Sequence, residues 1–348
     1  MEIIRYEIQK GDTLHSVAEK HEMAVQDLID THNQNCGLTN VIIGDKIPIH
    51  LQYIFLEIDP SRQFRASDIA FTKRARYRCE LNNIIAIDGK PNFSAQTKTE
   101  YLFSSRKQND DILFMLKLED YVNSIQPQEM EAAFYLIREI EMIRDVVIYT
   151  QSEDGAIKDI INREELSGKW QDFIRQKAPE IPFYQEMRNR DPETIRDFIE
   201  NGNREFSDSK ELGKVLAKNM LYHILLKSYM RKDDHFSILQ QSQLFPDILL
   251  AIDVSRTVVS EQGNTITYRL TGTLDKNRLD HDKIVRLYEE MYQPVIKYSF
   301  TEFDFIYRIT YTVEKASGLL MDATASMKER VKNNYESITK FELRRVEL

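Results

Sequence analysis

The chain has 348 residues, of which 42% are hydrophobic and 30% charged, and carries a formal net charge of −9. These are the proportions of a globular protein divided into two or three folding units. Lys and Arg are spread along an acidic chain, which excludes the basic patch that neutralises phosphates, so no nucleic-acid partner is expected.

In chain order, Tyr6 and Ile8 alternate with polar neighbours as in a half-buried strand, and Gly11 stops the run. Asp12 or Thr13 can then cap a helix whose inner face carries Leu14, Val17 and Ala18. A second helix is predicted at 24–33, with Val25, Leu28 and Ile29 inward. Residues 33–40 read as a polar loop, and Val41 to Ile49 as a second strand interrupted at Gly44-Asp45. The order is β-α-α-β, with a core so small that every apolar position counts.

The ordered set Tyr6, Ile8, Gly11-Asp12-Thr13-Leu14, Val17-Ala18, Val25, Leu28, Asn33, then Val41, Ile43-Gly44-Asp45, Ile47 and Ile49, resembles a LysM domain over residues 4–50. Asp45 stands where the family often has Gln, and His50 where it often has Pro. The resemblance implies a shallow groove for N-acetylglucosamine-containing glycans, peptidoglycan or chitin. Carried over, that groove comprises Gly11, Asp12, Thr13 and Leu14 facing Asn33, Gly37, Leu38, Asn40 and Val41. Loop N–H groups would bond acetamido groups there, and Leu14 would offer apolar contact. Similar LysM domains also serve as small docking units inside contractile injection machines.

A turn at Asp59-Pro60-Ser61 marks the expected boundary, giving a LysM domain at 1–52 and an α+β domain at 60–348. Strands are predicted at 76–87, 98–104 and 112–121, with a tight turn at Asp88-Gly89. A helical middle, about 128–231, holds helices at 128–144, 164–176, 192–201 and 208–231, interrupted by strands at 146–150 and 157–161 around an Asp154-Gly155 turn. Strands return at 251–259 and 265–274, joined through the short loop Glu261–Asn264, then at 303–313, 318–327 and 335–346 after a helix at 280–291. Sheet, helices, sheet is an α+β arrangement, and both meanders are expected in one antiparallel sheet curved around or covered by the central helices. The 17 Tyr and 17 Phe, largely on strands, are read as a packed aromatic core.

No HExxH, GxSxG, P-loop or GxGxxG pattern is present, so no catalytic residue or cofactor is assigned. Asp233-Asp234-His235 and Asp280-His281-Asp282 are read as solvated acidic runs rather than metal ligands, and Asp275-x-Asn277 lacks the later Gly and terminal Glu of a calcium loop. Cys36 and Cys79 cannot build a disulfide framework. The longest apolar run, 248–252, is far shorter than the ~20 residues that span a bilayer, and no secretory signal is read at the N-terminus. A cytoplasmic chain is expected, reaching the envelope only through a signal-independent machine. The functional expectation is a non-enzymatic binding protein, holding a peptidoglycan-like glycan through the first fifty residues and a protein partner through the rest. The alternative is an adaptor, structural part or cargo of a contractile injection machine of the type VI secretion kind.

Overall fold

The computed structural model describes residues 2–8, 11–21, 23–37, 40–58, 69–108, 111–152, 155–229, 231, 233–332 and 334–348. The predicted turn at 59–61, Asp154 and Leu38 lie outside these residues. The chain divides into two compact units, Met1–Ile69 and Ala70–Leu348. Among the described residues no helix is long and apolar enough to cross a membrane.

In the small unit, β1 (Glu2–Glu7) is followed by α1 (Leu14–Lys20), α2 (Val25–Asn35) and β2 (Tyr53–Ile58). The two strands pair antiparallel, Glu2 opposite Ile58 and Glu7 opposite Tyr53. The second strand is therefore not the predicted 41–49 segment, which is irregular. Gly44 sits there at φ 97°, and Pro48 has no N–H to give a ladder. Tyr53–Ile58 has the alternation a strand requires, with Ile54 and Leu56 both fully buried. These two close the core with Leu14, Val17, Leu28 and Ile42.

The larger unit is mixed helix and strand, dominated by one antiparallel sheet of eleven strands. In chain order these are β3 (Lys73–Ile87), β4 (Lys90–Gln108), β5 (Asp111–Gln126), β6 (Val146–Gln151), β7 (Ile157–Ile160), β8 (His235–Gln241), β9 (Leu249–Gln262), β10 (Thr265–Leu274), β11 (Phe303–Glu314), β12 (Leu320–Val331) and β13 (Tyr335–Val346). Across the sheet the order is β7-β6-β5-β4-β3-β13-β12-β11-β10-β9-β8, so β3 and β13 join two meanders into one surface. The β3–β4 turn has Asp88 at φ 50° and Gly89 at φ 72°, the left-handed pair that a two-residue hairpin needs.

The helices are α3 (Glu131–Glu141), α4 (Arg163–Asp172), α5 (Pro182–Arg190), α6 (Pro192–Ser207), α7 (Ser209–Leu216), α8 (Met220–His223), α9 (His281–Met291) and α10 (Gln293–Ile296). The single helix predicted at 208–231 is broken, because α7 ends at Leu216 and the Asn219 side chain accepts the Leu221 N–H to start α8 afresh. Sequence periodicity also passes over α5, a polar helix opened by Pro182, and the edge strand β8.

The chain from α4 to α8 connects one edge strand, β7, to the other, β8. Tyr222 lies 5.9 Å from the ring of Tyr149 on β6, while the adjacent His223 bonds the Tyr307 hydroxyl on β11 at 2.9 Å. Side chains stand roughly perpendicular to a sheet, so neighbouring residues meet both strands because the sheet curls over them. A chain of rings, Tyr77, Phe103, Phe114, Tyr149 and Tyr222, fills this concave side at centroid spacings of 5.3–6.0 Å. Trp170 on α4 is packed against Phe206 and against Gly202, where a Cβ would lie 2.0 Å from the indole.

Candidate functional site

The residues singled out in the small unit lie on two loops. In the first, Gly11 takes φ 99°, a conformation that favours glycine, and turns the chain from β1 toward α1. Thr13 and Ser16 cap α1 reciprocally: the Ser16 N–H donates to Thr13 Oγ1 at 3.0 Å, and the Thr13 N–H to Ser16 Oγ at 2.9 Å. Asp12 accepts the Tyr6 hydroxyl at 2.7 Å. Burial, with the adjacent Asp12 carboxylate, pushes the Tyr6 phenol up to about 12. Leu14, expected to offer ligand contact, is only 1% exposed and belongs to the core. It follows the cap, and the first helical turn points it inward with Val17 and Ala18.

The second loop is tied to the end of α2 by two side chains. Asn33 grips Ile42 at both ends of its amide, donating to the carbonyl at 3.0 Å and accepting the N–H at 2.8 Å. His32, fully buried, has Nδ1 facing the Phe55 N–H at 3.1 Å and Nε2 facing the Asn40 carbonyl at 2.9 Å. Because Phe55 is a donor, Nδ1 is the acceptor and Nε2 carries the proton toward Asn40. Asn40 also donates its N–H to the Gly37 carbonyl at 2.8 Å.

Asn33 and Asn40 are thus brought together through Ile42, His32 and Gly37, whereas Asp12 and Thr13 are held by Tyr6 and Ser16. What remains for a ligand is loop backbone, the exposed Thr13 and Gly37, and the half-buried Asp12, Asn40 and Val41. Gly37 has an ordinary φ and a Cβ there would meet nothing within 4 Å, so neither backbone nor packing requires glycine. His32 and Tyr6 were missed as loop holders in the sequence. A histidine next to Asn33 at a helix end was the available signal.

In the larger unit the notable titratable groups serve the fold. Asp280 accepts the Lys283 N–H and caps α9, Asp275 accepts that of Asn277, and Asp234 pairs with Arg256 at 3.0 Å. Among the described residues no group of three or more His, Cys, Asp or Glu could hold a metal ion. Cys36 and Cys79 are free thiols, and burial pushes that of Cys79 up. Glu329 on β12, 2% exposed, accepts the Ser242 hydroxyl at 2.6 Å and the Gln243 N–H at 2.9 Å. Burial raises its pKa. Gln243 continues to Thr339, and Thr339 donates to Asn83 at 2.9 Å, which links β12, β13 and β3. His223 is held down to about 4, first by burial and then by nearby Lys227.

No protein-family model matches the chain, and no curated protein matches it either.

Proposed function

We propose that the chain is a non-enzymatic binding protein whose small unit is a LysM-type module for N-acetylglucosamine-containing glycan, and whose larger unit holds a protein partner. The observation that carries the glycan reading is the division of labour in the two loops. Thr13, Asn33 and His32 spend their polar groups on holding the loops in place. Gly37 leaves the surface bare without a structural need for glycine. Preformed loops with presented backbone N–H and C=O groups suit a neutral, acetamido-rich ligand, which offers hydrogen bonds and no charge.

The test is retention of the full chain by insoluble peptidoglycan and by chitin. Retention by either is expected, with at least about a tenfold loss for Gly37→Arg, a change of ~1.4 kcal/mol in binding. Gly37→Arg introduces bulk into open space, while Thr13→Arg also removes a cap, so the former is the cleaner variant. A chain that neither polymer retains overturns the glycan reading and leaves the loops as a protein-docking surface.

A further inference from the structure

β5 is paired from Asp111 to Gln126 by β4 on one side, but on the other side β6 covers only Leu113–Lys117. Leu118 still donates its N–H to the Asp145 carbonyl. From Glu119 onward that side of β5 has no strand beside it among the described residues. The Tyr121 N–H donates to its neighbour's carboxylate, Asp120, at 2.8 Å, so it faces away from β4. The two-residue period of a strand carries the backbone groups of Asn123 and Ile125 to the same open side. The outer strand β7, by contrast, is four residues long and its Ile160 N–H meets Ser209 Oγ at 3.3 Å.

Helix α3 runs back beside this open edge. Residues 121–125 of β5 and Glu131, Ala132, Tyr135 and Arg138 of α3 line a cleft of about 640 Å³. Val122 is 55% exposed and Tyr135 45% exposed. Arg138 has a buried Nε without a hydrogen-bond partner. Its nearest carboxylate, that of Glu139, is 3.9 Å away and is engaged by Lys177. Glu131 lies at the opposite end of the cleft, seven residues or ~10 Å of helix from Arg138.

We propose that this cleft receives an extended segment of another polypeptide as an added antiparallel strand on β5, with an acidic side chain at Arg138 and a basic one toward Glu131. A row of outward backbone donors and acceptors is matched by another strand and by little else. The charges at the two ends select side chains two to four residues apart, given ~3.4 Å per strand residue. This places the larger unit's partner surface and rests on the binding-protein reading. Glycan retention is read separately, so either can fail alone.

The test is selection of linear nine-residue peptides from a displayed random library on the full chain. Enrichment of sequences with an acidic and a basic residue at that spacing is expected. Asn123→Pro removes one outward N–H and is compatible with an edge position, and Arg138→Glu reverses the charge. Each is expected to weaken a selected peptide about tenfold or more, and a peptide with Lys for its acid should recover binding to Arg138→Glu. In the unsubstituted chain, the peptide should slow hydrogen exchange at Tyr121, Asn123 and Ile125, a readout independent of how the variants fold. No selected sequence, equal binding by both variants, or a chain dimer that Asn123→Pro dissolves would overturn the proposal.

Discussion

The two units satisfy their buried polar groups in opposite ways. In the small unit His32 and Asn33 tie a loop to residues only 8, 9 and 23 positions away. In the larger unit Glu329, Gln243, Thr339 and Asn83 stitch together segments separated by 86 to 256 positions. Both satisfy buried polar atoms, as they must, since an unpaired one costs ~1–3 kcal/mol. The first set shapes a surface loop, and the second fixes which strands are neighbours. Disturbing a short tie should therefore loosen one loop, whereas disturbing a long one should weaken the sheet.

The largest effect should come from the larger core. Trp170→Ala empties a site packed against Phe206 and Gly202 and should cost ~3–5 kcal/mol, measured by urea unfolding followed by circular dichroism. Leu28→Ala, at a fully buried position of the small core, should cost ~3 kcal/mol. In so small a unit that is enough to unfold it, seen as rapid amide exchange throughout β1, α2 and β2. Glu329→Ala leaves the Ser242 and Gln243 donors without their acceptor and should cost ~2 kcal/mol in the same urea experiment.

His223 gives the contrast a pH signature. Its folded pKa, about 4, lies below the ordinary histidine value of about 6.5, so the unfolded chain takes up a proton that the folded chain refuses. Stability is complete above about pH 6.5 and falls as pH drops toward 4, losing ~2 kcal/mol by pH 5. His223→Gln should flatten that part of the profile of melting temperature against pH. The smallest effect belongs to Asn33→Ala, which should cost ~1 kcal/mol and speed amide exchange at Ile42. If Asn33→Ala instead lowered the unfolding midpoint of the larger unit, the distinction between local and long ties would collapse.

Much of the fold was legible in the residues. Alternation marked most strands, and Asp88-Gly89 marked its hairpin, because side-chain period and left-handed φ are local properties. The misplaced second strand of the small unit shows where local reading stops. Val41 to Ile49 is apolar enough for a strand, but it lies just after Asn33 and His32 have claimed its start for a loop. Only the tertiary pairing with β1 selects Tyr53–Ile58. Leu14, by contrast, lies inward as the period of its helix requires, and its ligand contact was implied only by the resemblance. The β5 cleft was hidden from sequence because an open edge is defined by where β6 ends.

The join between β3 and β13 has a consequence for synthesis. Every other pair of adjacent strands in the large sheet is consecutive in the chain. The two meanders are like the covers of a book, and Asn83 and Thr339 sit at its spine, 256 residues apart. At a ribosomal pace of about 5–20 residues per second, β3 waits on the order of ten seconds or more for β13. During that interval its pairing edge is bare. Arg76, Arg78, Glu80, Asn82 and Asn83 stud it with charge and amide, the composition that discourages a waiting strand from joining a stranger.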